Sequence, residues 1–586
     1  MKKLLISLLS FLVVILLTVP VLSSCGNDTE SEDTPVTPPD TSQVTPQPTT
    51  TQEACQGWPA NYEGVMLQGF YWDSYTDSKW TQLTAQANEL SQYFSLIWIP
   101  NSGKTSDYYH NQRQTMGYDP CFWLDHNSCW GTEAELRQMI ATFKQKGTGI
   151  IEDVVINHKN GLSSWVDFPD ETKYTYSIKW DNTNYSAICR NDECNQNGYK
   201  TTGANDTGDN FDGYRDLDHT NATVQQNVKT YLDYLIKELG YVGFRYDLVK
   251  GYKAKYTGMY NASAQPQYSV GECWDANKGV VTDWLNGTKQ DDIIQSAAFD
   301  FPLKYKINSA FNNGYWLQLA QPALANDQAY QRYAVTFIDN HDTYRENDRL
   351  RSNVCAANAY ILCMPGTPCL FLKHWQAYKG TLKRLITLRK AAGINNQSKI
   401  ESAKANANGF TLKVKGDKGS VLLLLGKAES DDTSSMTLAL KGKNYAVYAD
   451  SNIDLTAVKA ITDEDAEAED DAPVTIPDFC TVEAGETCAF FEAPASWGNI
   501  KCWRWDKQYN YTGNKWPGVD CTLVGNTSKG KKVWKWSWDG NKVSQSSSNE
   551  GIIFNDGSNK TGDLPFQNGG YYTEEGMQGI VKANAG

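Results

Sequence analysis

Short apolar runs alternate with helical patterns between about residues 58 and 392. Eight of these runs have the length and apolar content of buried strands, and helical stretches separate several of them. The predicted strands are 65–70, 96–100, 149–156, 243–247, 268–273, 297–301, 334–339 and 367–372. Eight strands with intervening helices predict a parallel α/β architecture, namely a closed (β/α)8 TIM barrel over 58–392.

Two segments of this region have clear helix signals. The segment 132–146 begins with Thr132 and Glu135, which form a Thr-x-x-Glu capping box, and its apolar residues recur on one face. The segment 221–239 has the same periodicity and stops at Gly240. Both lie between predicted strands, so they support the alternating pattern of a barrel.

The connection after the third predicted strand is unusually long. Residues 159–220 are rich in Asn, Asp, Gly and Tyr, and a loop of this length inside a compact domain is usually functional. We therefore expect an inserted loop domain at this point of the barrel.

The hydrophobic period changes to two after about residue 393, which predicts an antiparallel β-sandwich over 393–495. Within this region, the acidic run 463–471 is expected to be a solvated loop. From 496 to 586 the composition changes again, because six tryptophans fall within 503–538 among abundant Gly and Asn. This last region is predicted to be a small all-β module.

The N-terminus has the layout of an export signal. Lys2 and Lys3 precede an apolar run, 4–22, and small residues follow it. The segment around Cys25 resembles the bacterial lipoprotein signal, which implies a signal peptide over 1–24 and a lipid anchor on Cys25. A plain signal peptide or an uncleaved anchor helix is the alternative.

The residues after Cys25 extend this expectation. Several are acidic and resemble surface-export signals, so we expect a lipoprotein held in the outer membrane and facing the exterior. The polar segment 25–57 has too little apolar content to form a core and should be an extended tether.

Composition narrows the class of partner. Lys and Arg number 54 against 68 Asp and Glu, and the resulting charge of −14 argues against a nucleic-acid partner. The 19 Trp and 33 Tyr suit either sugar binding or large aromatic cores, because flat rings stack on the apolar faces of sugars. Among the 14 Cys, Cys189/Cys194 and Cys480/Cys488 are possible disulfide pairs, and no zinc-type spacing occurs.

Acidic residues stand at the C-terminal ends of several predicted strands, where the active site of a barrel lies. They include Asp153, Asp247, Glu272 and Asp342. Glycoside cleavage needs such groups: one carboxylate attacks or stabilises the anomeric carbon, and a protonated carboxyl group gives its proton to the leaving oxygen.

Strand geometry suggests which carboxyl group plays which part. Arg245 and Asp247 are two residues apart, so both side chains project from one face, and the guanidinium should hold Asp247 as a nucleophilic carboxylate. Glu272, facing Asp247 and Asp342, should have a raised pKa and serve as the acid. Taken singly, any of these residues could instead be a salt bridge at the barrel rim.

Four segments resemble the signature regions of the α-amylase family, glycoside hydrolase family 13. They are DVVINH at 153–158, GFRYDLVKG at 243–251, GECW at 271–274 and FIDNHD at 337–342, in the family's order. The resemblance implies Asp247 as nucleophile, Glu272 as general acid/base and Asp342 as the carboxylate that grips the sugar hydroxyls. It implies retention of configuration, and further sugar contacts from Tyr118, His158, Arg245, Lys250 and His341.

Members of this family usually hold a structural Ca²⁺ between the barrel and the long loop. Five residues match the calcium positions of the plant-like branch of the family: Asn157, Asp206, Asp209, Asp216 and Gly251. The Lys-Gly pair at 250–251, where many relatives have Lys-His, resembles the same branch. A loop of Asx turns without metal is the alternative.

The final segment resembles small starch-binding modules that are appended to bacterial amylases. Trp505 and Trp516 are the expected stacking faces, whereas Trp534, Trp536 and Trp538 are expected to pack the core by alternation.

Together these features predict an endo-acting α-amylase whose partners are starch and malto-oligosaccharides. A transglycosylase or an α-glucosidase of the same family is one alternative, because such relatives share the three carboxyl groups. A non-catalytic starch-binding surface lipoprotein is the other.

Overall fold

The computed structural model describes residues 57–105, 115–163, 165–345, 348–466, 476–494, 497–513, 515–527, 530–547, 549–573 and 576–581. The predicted signal peptide, the anchor residue Cys25 and the tether up to residue 56 lie outside the described residues. Within the described ranges, no helix has the length and apolar content needed to cross a bilayer.

Eight parallel strands close into a barrel, which confirms the predicted fold class. Their order around the barrel is β1-β8-β7-β6-β5-β4-β3-β2. Each begins within one residue of its predicted start. The strands are β1 Met66–Gln68, β2 Leu96–Ile99, β3 Gly149–Val154, β4 Gly243–Tyr246, β5 Tyr268–Gly271, β6 Ala297–Phe299, β7 Ala334–Phe337 and β8 Thr367–Phe371.

Helices surround the barrel. They are α1 Trp80–Ala85, α2 Ala87–Tyr93, α3 Glu133–Gln145, α4 Ala222–Tyr234, α5 Ala254–Ala264, α6 Lys278–Gly287, α7 Phe301–Asn313, α8 His341–Arg345, α9 Val354–Cys363, α10 Leu372–Ala377, α11 Lys379–Ala392 and, beyond the barrel, α12 Thr456–Ala460. The capping box of α3 is present, with Thr132 bonded to the Glu135 backbone. The segment after α4 continues as one π turn and ends at Gly240.

The N-terminal end of the barrel is covered by Trp58. Its indole N–H donates to Thr367 Oγ1 at 2.9 Å, and the Arg332 guanidinium donates to its carbonyl through two nitrogens. This segment covers the end of the barrel opposite to the carboxyl ends of the strands.

The long insertion after β3 has small β elements of its own. His158–Lys159 pairs with Arg215–Asp216, and Glu171–Lys173 forms a hairpin with Tyr176–Ile178. The fully buried Lys159 ammonium lies 5.0 Å from the ring centre of Trp123, beside two further aromatic rings. Cation–π contacts of this kind compensate for the burial of its charge.

Antiparallel β structure follows the barrel, as the alternating pattern predicted, but over the described residues 399–449 it is one sheet and not the two-sheet sandwich that we expected. Five strands form one sheet in the order β9-β10-β11-β13-β12, and the barrel helices α9 and α11 contact it. The strands are β9 Lys399–Asn406, β10 Gly409–Gly416, β11 Gly419–Gly426, β12 Thr437–Gly442 and β13 Tyr445–Ala449.

The acidic run after this sheet is not simply a solvated loop. Asp463 pairs with Lys383 of α11 at 2.7 Å, and Asp465 accepts hydrogen bonds from the backbone and hydroxyl of Thr381. Periodicity could not reveal this, because the partners lie about 80 residues earlier in the chain. Residues 467–471 of the run lie outside the described residues.

The last region consists of two small β-sheets with a shared aromatic core. One has the order β18-β19-β14-β22-β23, and the other has the order β17-β15-β16-β20, with β21 paired to β15. The strands are β14 Cys488–Glu492, β15 Lys501–Trp505, β16 Tyr509–Asn510, β17 Val519–Asp520, β18 Thr522–Asn526, β19 Lys532–Ser537, β20 Val543–Ser544, β21 Gly551–Asn555, β22 Gly570–Thr573 and β23 Gly576–Ile580.

Two sequence-based expectations differ from this structure. The predicted boundary at 495/496 is too late, because β14 lies between β19 and β22 and therefore belongs to the last module. The possible disulfides are not formed, since Cys189, Cys194, Cys480 and Cys488 are free thiols.

Candidate active site

Strand register brings the acidic residues to one end of the barrel. Asp153 of β3 lies opposite Arg245 of β4, and Tyr246 lies opposite Gly271 of β5. The residues that follow the last pair are Asp247 and Glu272, so both carboxyl groups leave neighbouring strands at the same level. This is the C-terminal end of a parallel barrel, where loops can complete a site.

The Arg245 guanidinium joins three carboxyl groups. Its Nη1 donates to Asp153 Oδ1 at 2.8 Å and to Asp247 Oδ1 at 2.6 Å, and its Nη2 lies 2.5 Å from Glu272 Oε1. The side chain is fully buried, and its charge lies 5.0 Å from the ring centre of Trp98. The predicted pairing with Asp247 is present, and the contact with Glu272 is an addition that the sequence did not suggest.

Glu272, the predicted acid, lies in surroundings that favour its protonated form. Burial raises the pKa of its carboxyl group well above the ordinary value, and the nearby Asp247 and Asp342 charges raise it further. Arg245 acts in the opposite direction but does not reverse the shift. Burial also raises the pKa of Asp153, to about 7.

Leu248 holds the second oxygen of Glu272. Its N–H donates to Glu272 Oε2 at 3.1 Å, and its backbone is left-handed, with φ 45°. A non-glycine residue rarely adopts this conformation, and such strain is concentrated at functional sites.

Asp342 lies beside the aromatic ring of Trp72. The indole N–H of Trp72 donates to Asp342 Oδ1 at 2.8 Å, and His341 Nε2 lies 3.3 Å from Asp342 Oδ2. The sequence analysis did not identify Trp72. Its position just beyond the C-terminal end of β1 was the signal that could have found it.

Tyr118 and His341 form a stacked pair at the C-terminal end of the barrel. Their ring centres are 5.3 Å apart with planes 8° from parallel. The Tyr118 hydroxyl donates to Asp153 Oδ2, and it accepts from His341 Nε2 at 2.7 Å. His341 Nδ1 then accepts from Gln68 Nε2, which was also missed by the sequence analysis. Burial lowers the pKa of His341 to about 4, so the ring is neutral at pH 7.

His158 supports Tyr118 from the other side. Its Nε2 lies 2.8 Å from the Tyr118 carbonyl, and its ring stacks on Phe211 and Tyr214 of the insertion. Lys250 is farther out and partly exposed, where its ammonium lies 3.2 Å from Asp275 Oδ2. The structure thus gathers most of the expected sugar contacts around the three carboxyl groups.

Residues 105–408 match the family described as the α-amylase catalytic domain. The chain belongs to the α-amylase family. Residues 489–566 match starch-binding module 26. This second match begins inside β14, in agreement with the earlier boundary that strand pairing indicates.

Individual relatives are similar at lower identity. Probable alpha-amylase 2 of Arabidopsis thaliana is 28% identical over 411 residues, which cover 66% of this chain and 93% of that protein. The glucan 1,4-alpha-maltotetraohydrolase of Stutzerimonas stutzeri is 28% identical and covers 62% of this chain and 68% of its own. The fold resembles a solved Anoxybacillus α-amylase at 14% identity and a TM-score of 0.50, covering 66% and 96% of the two chains.

The residues expected to bind calcium lie together at the base of the insertion of this amylase. Asn157 donates to Asp216 Oδ1 at 3.2 Å, and a Cβ on Gly251 would lie 1.9 Å from Asn157 Oδ1. Burial and the neighbouring Asp206 raise the pKa of Asp216 to about 8, and Asp206 Oδ2 is buried without a hydrogen-bond partner. Asp209 differs, because its carboxylate is 73% exposed and faces Lys250.

This donor set fits calcium better than a softer metal. Among the described residues, no group of three or more His, Cys, Asp or Glu side chains has metal-binding geometry. The available donors are two crowded carboxylates, an amide oxygen and main-chain carbonyls, which are hard oxygen ligands of the kind that Ca²⁺ takes.

The starch-binding module of the amylase presents Trp516 but not Trp505. Trp516 is 46% exposed and meets Trp503 edge-to-face at 5.9 Å. Trp505 is only 6% exposed, because its ring packs against Gly551 and its indole N–H bonds to Asn549. The structure therefore contradicts Trp505 as a stacking face and favours Trp503. Trp534 and Trp536 are buried, as expected, whereas Trp538 is only partly so.

Another buried carboxyl group, that of Glu152, lies behind the active site. Glu152 Oε1 accepts from the backbone and hydroxyl of Ser102, and that hydroxyl also contacts His126 and Tyr241. Burial raises the pKa of Glu152 to about 8 and lowers that of His126 to about 4, so this cluster is uncharged near neutral pH.

The buried Glu152 should make the stability of the amylase pH-dependent. Its folded-state pKa is above the unfolded value, so the stabilisation is complete below about pH 4.5 and is lost as pH rises through about 8. In Glu152→Gln the free energy of unfolding should depend less on pH. The part due to Glu152, a fall of up to about 1.4 kcal/mol per pH unit, should be absent. Urea unfolding of the wild-type protein and of Glu152→Gln between pH 5 and 9 measures this difference. Parallel curves of the free energy of unfolding against pH would contradict a raised pKa at Glu152.

Proposed function

We propose that this amylase is endo-acting and hydrolyses internal α-1,4-glucosidic bonds of starch-like glucans with retention of configuration. The observation that carries the proposal is the contact of Asp247 and Glu272 with separate nitrogens of one guanidinium. It holds the two carboxyl groups a few ångströms apart, as attack by one and proton donation by the other require. Retaining enzymes need a separation of about 5–5.5 Å.

The chemistry follows from the different states of the two groups. The Asp247 carboxylate, paired with Arg245, attacks the anomeric carbon and forms the glycosyl–enzyme bond. Glu272 gives its proton to the glycosidic oxygen, and the bond from the anomeric carbon to that oxygen breaks. Glu272 then takes a proton from the water that hydrolyses the intermediate.

The other residues are assigned to sugar binding. Asp342 accepts hydrogen bonds from sugar hydroxyls, while the Trp72 indole holds one of its oxygens in place. Tyr118 offers a ring face below the cleaved sugar, and the neutral His341 donates its one N–H to the Tyr118 hydroxyl without adding positive charge beside the sugar. Lys250 and His158 complete this set.

The alternatives fit less well. A non-catalytic starch-binding lipoprotein would not need three mutually repelling carboxyl groups beside a strained backbone that holds one of them. A transglycosylase or an α-glucosidase of the same family would use the same three groups, so the product profile separates these activities.

Replacement of Glu272 by Gln should lower turnover by about 10²–10⁴-fold and leave glucan binding intact, because the amide cannot donate the proton. The measurement is the time course of products from amylose, in which wild-type protein should give early internal cuts. Glu152→Gln, a buried barrel glutamate outside the cleft, is the matched control and should stay active near pH 6. Hydrolysis by Glu272→Gln within twofold of wild type would refute the acid assignment.

We also propose that Asn157, Asp206, Asp209, Asp216 and Gly251 hold a structural Ca²⁺, as in the plant-like branch of the family. The support is burial together with the crowding of the Asp206 and Asp216 carboxyl groups against each other, which raise the pKa of Asp216. The ion would neutralise both carboxylates and fix the insertion to the barrel.

Removing calcium with a chelator should lower the melting temperature, because an ion that binds the native state stabilises it by mass action. At a free concentration 100 times Kd, that amounts to about 2.7 kcal/mol. Asp206→Asn should lose most of this response, whereas the exposed neighbour Asp212→Asn should keep it. An unchanged melting temperature on chelation of the wild-type protein would count against the metal.

We propose that Trp516 and Trp503 form the glucan-stacking surface of the starch-binding module. Trp516→Ala should weaken adsorption to insoluble starch several-fold and leave hydrolysis of soluble maltoheptaose unchanged, since an aromatic ring contact contributes about 0.5–1.5 kcal/mol. Leu523→Ala, at an equally exposed position of the same module, is the control. Equal adsorption of both variants would contradict the assignment.

We propose that Cys25 carries a lipid anchor that holds the enzyme at the outer membrane, facing the exterior. The support is the sequence alone, namely the apolar segment before Cys25 and the acidic residues after it. In cells given a radiolabelled fatty acid, Cys25→Ser should abolish labelling and release the enzyme from the membrane fraction. Labelling that persists in the variant would refute the anchor.

A further inference from the structure

Helix α7 contacts the loop that follows the proposed acid. Trp274 lies two residues beyond Glu272, and its ring stacks on Phe301, the first residue of α7, at 5.1 Å. Its indole N–H donates to the Tyr305 hydroxyl, one turn along α7, at 2.8 Å. The chain segment that carries Glu272 is thus attached to α7 by a ring contact and a hydrogen bond.

The same helix contacts Asp348, beyond α8, the short helix that carries Asp342. The Tyr305 hydroxyl, which accepts from Trp274, donates to Asp348 Oδ2 at 3.1 Å. The Lys304 ammonium and the Asn308 amide both donate to the Asp348 carbonyl. One hydroxyl therefore links the segment after the acid to the segment after the third carboxylate.

Lys304 also contacts the chain just before α8. Its ammonium lies 3.2 Å from Asp339 Oδ1, three residues before Asp342. Asp339 also accepts from the backbone N–H of Leu350 at 3.2 Å, and His374 lies 3.5 Å from its other oxygen. Asp339 and Leu350 lie on either side of Asp342 in the chain, and this network joins them.

The charges in this network are costly, which argues that they have a role. The Lys304 and Asp339 side chains are both fully buried. Burying such a pair is often no better for stability than burying apolar residues, so it is weak support for a purely stabilising role. What this pair does provide is a fixed geometry, because ammonium and carboxylate each have several partners at once.

We propose that Tyr305 and Lys304 are positioning residues that set the placement of Glu272 relative to Asp342. The inference rests on the proposed function, since it assigns these two carboxyl groups as acid and sugar-binding carboxylate. Neither Tyr305 nor Lys304 touches the three carboxyl groups itself. They act through Trp274 on one side and through Asp339 and Asp348 on the other.

This placement has a chemical consequence at Glu272. The charged groups that act on it are Arg245, Asp247 and Asp342, and the last of these raises the pKa of Glu272 by like-charge repulsion. Loosening the attachments on either side of α8, which carries Asp342, would weaken that repulsion. The pKa of Glu272 would then fall, and the acid would lose its proton at a lower pH.

The test is Tyr305→Phe, which removes one hydroxyl and keeps the ring. We expect kcat to fall about three- to tenfold with KM within about twofold, since small misplacements reduce turnover more than binding. The alkaline limb of the kcat/KM profile should move to lower pH, which a loss of folded protein alone would not cause. Tyr330→Phe is the control. It removes a hydroxyl that accepts a hydrogen bond from the Asn286 amide, and it should leave both kcat and the alkaline limb unchanged.

A second pair of variants tests the ammonium. Lys304→Met should lower kcat about 10²-fold, Lys304→Arg should restore part of it, and Lys306→Met on the same helix is the control. If Lys304→Met does not fold, Tyr305→Phe decides. Kinetics and an alkaline limb for Tyr305→Phe equal to those of Tyr330→Phe would overturn the inference, whereas an inactive wild-type protein would instead overturn the proposed function.

Discussion

The buried guanidinium of Arg245 is the interaction on which the arrangement of the site depends. Three carboxyl groups from three strand ends meet its nitrogens within 2.5–2.8 Å. Without this charge the carboxyl groups would repel each other in a region that water hardly reaches. Removing one partner of such a buried pair typically costs about 3–5 kcal/mol. The same guanidinium still leaves Glu272 with a raised pKa, because burial of that group outweighs the attraction.

Around this centre, the fold supplies rigid attachments at several distances. The left-handed Leu248 directs its N–H at the acid, and Trp72 directs its indole at Asp342. Farther out, α7 joins the loops after both groups. The Lys159 ammonium, over the ring of Trp123, joins the insertion to the connection between β2 and α3. Each attachment uses a buried polar group that is satisfied by elements far apart in the chain.

Much of the site could be predicted, because each of its motifs is local. Asp247 and Glu272 stand at strand ends that their own apolar runs predict, and the barrel topology then requires both ends to face the same way. Trp72 and Gln68 were missed because their roles depend on contacts with residues about 270 positions later. Trp505 was assigned wrongly because it shares its strand face with Trp503, and only the approach of Gly551 distinguishes them.

The amino-acid sequence by itself determined the eight strands, the capped helix α3 and the ordered motifs of the α-amylase family, since these depend on periodicity and short spacings. The tertiary structure decided which carboxyl groups share Arg245, where the last module begins and which of its rings is exposed. The physical reason is that burial and pKa depend on neighbours brought together by strand register and packing. Those neighbours are distant in the chain, and no local pattern specifies them.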